Sequence, residues 1–194
     1  ELEPAVEEAA RQAMGFVDGT NIRVVIDDGA AFALREAEQG APCADGLYDA
    51  VVLDVADATG GVPEAFWRHD GCFVRALARG LLSSRGGAVV GNFQPGTDLG
   101  LVLAAWHRAL AARGPSTSFS VNEPSKTLDG LDASGTGNLV AVQTSGMLAT
   151  SSPGQLGRSL VEAAREVQKA TGCPFDMAEL AAHELREWPV RGGA

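Results

Sequence analysis

The chain has no apolar run approaching the roughly 20 residues that a helix needs to cross a bilayer, so no membrane partner is expected. It begins without Met and without the basic-then-apolar pattern of a secretory leader. Cysteine is scarce: Cys43, Cys72 and Cys173 stand far apart, with no C-x-x-C spacing and no neighbouring His pair. That distribution reads as reduced thiols in a cytoplasmic protein, not as a disulfide framework. His69, His107 and His183 share no ligand spacing, so no metal site is expected. Positive charge is also short, with 15 Lys and Arg against 25 Asp and Glu, a net charge of -10. Nucleic-acid binding needs clustered cations to neutralise phosphates and is therefore disfavoured. A basic protein, peptide or polyamine suits such a field better.

Two catalytic motifs are missing as well. No G-x-S-x-G elbow is present, and Ser83 and Ser84 have no recognisable base. No G-x-G-x-x-G follows a strand, and Thr59-Gly60-Gly61 and Ser134-Gly135-Thr136-Gly137 read as turns.

What is there is an alternation of strands and helices in 194 residues that are 45% hydrophobic and 21% charged, enough for one sizeable core. Pro4 to Met14 reads as a helix, with Pro in the first turn, Glu7 and Glu8 near its positive end and Gly15 as a stop. A short strand is expected over Asn21 to Ile26, and a helix over Ala30 to Gln39. Tyr48 to Leu53 is a continuous apolar run and reads as the most buried strand. Helices follow over Asp70 to Leu82 and Leu99 to Ala112, with a strand over Gly87 to Phe93 between them. Such alternation implies a parallel sheet. Thr117 to Val121 and Asn138 to Gln143, joined without a helix, imply an antiparallel pair that closes it. Thr144 to Gly154 reads as a short linker. Pro153 to Thr171, capped by Ser151 or Ser152, and Phe175 to Trp188 read as helices. The domain is thus expected over residues 1–148, with a helical extension over 149–194.

In open α/β sheets ligands bind beyond the carboxyl ends of the strands, and three acidic positions fall there. The start Glu1-Leu2-Glu3-Pro4 reads as a strand-to-helix junction, with a first strand and its glycine-rich loop expected upstream. Glu1 can accept from both hydroxyls of a ribose, while Glu3 suits the helix dipole. Asp28 can accept from an adenine amine, or cap the helix that follows, and Gly29 leaves room for the base. Asp54-Val55-Ala56-Asp57 places two carboxylates on one loop, where they can orient or deprotonate an attacking amine. The alternative at Asp57 is a turn, with only Asp54 facing the cleft. Trp67, Trp106 and Trp188 read as packing residues, with Trp67 alone able to line a substrate opening.

The segments ELEPAVEEAARQAMGF, IRVVIDDGAAFAL, YDAVVLDVAD and CFVRALARGLLSSRGGAVVGNF, in that order, resemble the spermidine synthase-like branch of S-adenosylmethionine-dependent methyltransferases. Within that branch the chain is similar over nearly its whole length to the C-terminal domain of the elongation factor 1A lysine and N-terminal methyltransferase family. The Gly137-Asn138 pair and the final helical segment VEAAREVQKATGCPFDMAELAAHELREWPV share in the likeness. The resemblance implies an α/β Rossmann-like class I methyltransferase three-layer sandwich lacking its first strand. It implies S-adenosyl-L-methionine as cofactor, held by Glu1, Asp28, Gly29, Asp54 and Val55. It further implies Asp54 and Asp57 as catalytic residues and a protein amine as substrate, such as that of a translation factor. Val55-Ala56 between the acids, and no proline after Asp57, depart from the polyamine aminopropyltransferases, the alternative within the branch. A truncated, non-catalytic family member is the other alternative.

Overall fold

The computed structural model describes residues 1–17, 19, 22–40, 46–55, 57, 62–83, 85–93, 97–114, 116–122, 139–145, 155–174 and 176–188. Thr59–Gly61, Ser84, Ser134–Asn138, Ser151, Ser152 and Cys43, on which some expectations fell, lie outside them.

Helix α1 spans Pro4–Met14 as its pattern predicts, with Pro4 in the first turn and Gly15 in the left-handed region at its end. Helix α2 (Gly29–Gln39) begins where the Asp28 carboxylate accepts from Ala31 N at 2.7 Å. Strand β1 (Ala50–Leu53) follows, then a single 3-10 turn over Glu64–Phe66 and helix α3 (Cys72–Ala78). Helix α3 is shorter than its apolar spacing predicts, because Gly71 takes the N-cap and Gly80, at φ 111, stops it. Strand β2 (Ala88–Phe93) leads to helix α4 (Leu99–Ala111), then strands β3 (Ser116–Asn122) and β4 (Leu139–Ser145), helices α5 (Gln155–Thr171) and α6 (Met177–Glu184), and strand β5 (Leu185–Trp188).

The result is a mixed α/β fold around an open sheet of order β1-β2-β4-β3-β5. Among the described strands only β1 and β2 pair in parallel; β4 lies antiparallel to both β2 and β3, and β5 is antiparallel to β3. The expected antiparallel pair is present, and its second member is inserted beside β2. The final stretch is not wholly helical as expected. Leu185–Trp188 instead adds to the open edge of β3, where its backbone groups find partners, and Pro189 disfavours a helical residue before it.

The core lies on one face of the sheet. Val89, Phe93 and Leu53 meet the apolar stripes of α2, α3 and α4, the last contributing Leu99, Val102, Leu103, Trp106, Ala109 and Leu110. Strand β2 is the buried strand, alternating between buried and half-buried residues. Strand β1 is not the most buried, contrary to its continuous apolar run. It is an edge strand in which Leu53 is covered and Val52 is 67% exposed. Helix α1 buries no residue. A third layer over β1 is therefore not seen among the described residues.

The approach to β1 crosses the link between α3 and β2, with Tyr48 N donating to Leu81 O and Ser83 N to Tyr48 O. Gly46 makes this crossing possible: its φ is +73, and a Cβ there would stand 1.9 Å from the Leu82 carbonyl oxygen. Both the left-handed backbone and the clash penalise any side chain. Gly46→Ala is expected to lower stability by about 2–4 kcal/mol, measured as a fall in the urea midpoint. A loss under about 0.5 kcal/mol, the level of a neutral surface change, would contradict it.

Where α4 meets β3, His107 Nδ1 and Ser116 Oγ share a hydrogen bond. Partial burial holds the His107 imidazole below its ordinary pKa by desolvating the charged ring. The unfolded chain thus takes up this proton at a higher pH than the folded one. Stability should be fully present above about pH 6.5 and fall as the pH drops below it. His107→Gln should flatten that slope between pH 7.5 and 5.5; an unchanged slope would remove His107 as its source.

Candidate functional site

The acids singled out from the sequence fall into two groups at strand ends. The first joins the chain start to the segment before α2. Glu1 N donates to Val25 O at 3.1 Å and Asp27 N donates to Glu1 O at 2.8 Å. This is one rung of a parallel ladder between Glu1 and Ile26. The expected strand over Asn21–Ile26 is reduced to that rung and an isolated bridge between Gly19 and Ile22; Asn21 lies outside the described residues. A strand is defined by its neighbours, and Glu1 supplies a single residue of partner.

The rung places Glu1 beside the Asp27-Asp28 turn. Glu1 Oε1 accepts from Leu2 N at 2.9 Å and Glu3 N at 3.0 Å, ahead of the first turn of α1, which has no side-chain cap. The Glu3 bond, with that from Leu2, holds the Glu1 carboxyl below its ordinary pKa. Oε2 is not engaged among the described residues. Asp28 is arranged similarly: Oδ1 caps α2 and Oδ2 is not engaged among the described residues, while Asp27 pairs with Arg35. Cap and ligand functions can thus use different oxygens of one carboxylate. At Gly29 a Cβ would stand 3.5 Å from Phe66 Cζ, an ordinary contact, so the fold itself does not demand glycine there.

The second group is at the end of β1. Asp54 is exposed and accepts from Asn92 Nδ2 at 3.0 Å. Leu53 pairs with Gly91 across the parallel strands, so the next residues, Asp54 and Asn92, share the opposite face. Val55 is 39% exposed. Asp57 is exposed. The sequence pattern does not single out Asn92, although it is the polar residue in the strand AVVGNF and sits near its carboxyl end. Phe66 lies against the Gly29 position, 3.5 Å from where a Cβ would stand. Trp67 does not stand free at an opening: it is half-buried against the core and its indole N–H donates to Val62 O at 3.2 Å.

No group of three or more His, Cys, Asp or Glu suited to a metal ion occurs among the described residues, and no helix among them is long and apolar enough to cross a membrane. Comparison with known proteins found no family model, no curated protein and no solved structure that matches this chain.

Proposed function

We propose that the protein is an S-adenosyl-L-methionine-dependent methyltransferase of the spermidine synthase-like branch, acting on a lysine or α-amino group of another protein. The observation that carries this is the sheet: a parallel pair, β1 and β2, closed by an antiparallel pair whose later strand β4 lies between β2 and β3. A plain dinucleotide-binding sheet continues in parallel. The set of acceptors suits the cofactor. The second carboxylate oxygens of Glu1 and Asp28 match ribose hydroxyls and an adenine amine, and Gly29 brings no side chain to the position expected beside the base.

When bound, the cofactor would supply an activated methyl group. The protein would mainly position a neutral amine in line with it. Asp54 accepts an N–H of the amine and directs its lone pair, and Val55 forms the neighbouring wall. Asp57 stands near enough in sequence to stabilise the cationic form before proton loss.

Calorimetric titration of the full-length protein with S-adenosylmethionine and its decarboxylated form tests this. Binding of the former, abolished by Glu1→Ala or Asp28→Ala, is the expected result. A preference for the decarboxylated form would assign aminopropyl transfer instead, and binding of neither would leave a non-catalytic protein. Gly29→Ala should keep the fold, since Ala is favoured over Gly in a helix by about 1 kcal/mol. It should nevertheless weaken cofactor affinity about tenfold, or 1.4 kcal/mol, because the methyl enters the base's space. Unchanged affinity would remove Gly29 from the site.

A further inference from the structure

Asp27 is tied at once to Glu1, Asp28 and Arg35. Its N–H donates to Glu1 O at 2.8 Å, its Oδ1 accepts from Asp28 N at 2.8 Å and its Oδ2 takes the Arg35 guanidinium. Glu1 and Asp28 are the two residues whose second carboxylate oxygens are not engaged among the described residues at this strand end. Arg35 lies two turns into α2 and reaches back to its entry, a direction that helical side chains favour. Helix stability does not account for the pair. The positive end of a helix disfavours a cation, and a partly exposed ion pair adds little. What Arg35 does offset is the repulsion among three carboxylates, Glu1, Asp27 and Asp28, gathered at one turn.

We propose that Asp27, held by Arg35, is a positioning residue of the cofactor site: it fixes the span between the ribose acceptor Glu1 and the adenine acceptor Asp28. This rests on the S-adenosylmethionine-dependent function above. Both Asp27 oxygens are engaged within the protein, so its effect passes to the cofactor through its neighbours. The bond to Glu1 O is one side of the rung that locates the chain start, and the bond from Asp28 N orients the residue whose Oδ1 caps α2. One side chain and one N–H thus set two acceptors on different segments at a fixed separation. Acceptors fixed in advance lose less freedom on binding and favour a ligand whose donors match that separation. Asp27→Asn would keep an acceptor for Asp28 N but lose the ion pair with Arg35.

The test is calorimetric titration of the full-length protein with S-adenosylhomocysteine and two analogues, a 6-deamino form without the adenine amine and a 2′-deoxy form without one ribose hydroxyl. The parent protein is expected to prefer S-adenosylhomocysteine over each analogue by about tenfold or more, since a site that pairs an N–H or O–H rejects the ligand lacking it. In Asp27→Ala and Arg35→Ala both ratios should fall below about threefold as the acceptors lose their fixed places, with urea midpoints confirming folded variants. A purely structural role would weaken all three ligands by one common factor and leave the ratios as they were. That result, in a parent that does bind and discriminate, would sink the positioning role alone. Binding of none of the three by the parent would sink methyl transfer, and the positioning role with it.

Discussion

Trp106→Ala is expected to be the most damaging single substitution among the described residues, lowering stability by about 3–5 kcal/mol. The indole is fully buried, its ring lies 5.8 Å from that of Phe93 and its Nε1 donates to Phe66 O at 2.8 Å. It also lies over β2 where the strand carries Gly91; a Cβ there would come within 2.8 Å of Trp106 Cη2. Truncation would leave a cavity between α4 and the sheet and deprive a carbonyl of its donor. For a domain with about 5–15 kcal/mol of total stability, that is a large share. Trp106→Phe, which retains an aromatic ring but loses the N–H, should cost less than half as much. Urea denaturation of both variants checks this. A loss below about 1.5 kcal/mol for Trp106→Ala, the range of a modest repacking, would mean that the core closes over the gap. The consequence extends to the site, because Phe66 is held between Trp106 and the Gly29 position.

Asp54→Ala is expected to reduce methyl transfer by about 10²–10⁴-fold, the usual range for removing a positioned acid or base. The side chain is exposed and its bond to Asn92 lies at the sheet's lip, so stability should change by no more than about 0.5 kcal/mol. Asp54→Asn should fall in the same range, since an amide can accept a hydrogen bond but neither takes up a proton nor stabilises a cation as a carboxylate does. Asp57→Ala should cost less, as Asp57 is not held by the Asn92 bond. The assay follows labelled methyl from S-adenosylmethionine into unmodified protein extract, with the cofactor affinity of each variant measured alongside. Full activity in Asp54→Ala would remove Asp54 from the amine site and, with it, the orientation of the attacking nitrogen by a carboxylate at the end of β1.

Helices α1, α2 and α4 were legible because their information is local. The cap at Asp28, Pro4 at a first turn, and apolar residues three and four apart act over a single turn of chain. Asp28 was legible as a cap for the same reason, and the antiparallel relation of β3 and β4 because no helix is read between two consecutive strands. The environment of β1 was not. An apolar run reads as buried on both faces only if neighbours cover both, and those neighbours come from distant parts of the sequence.

The alternation of apolar segments, the scarcity of cysteine and the acid at each strand end belong to the sequence by itself. They determine a mixed α/β chain and the residues available for chemistry. Tertiary structure alone decided that β4 enters beside β2, that Leu185–Trp188 becomes a strand on the edge of β3, and that Asn92 meets Asp54. The physical reason is common to all three. Strand pairing and cross-strand contact join residues far apart in sequence, 38 positions for Asn92 and Asp54, so no local pattern encodes them.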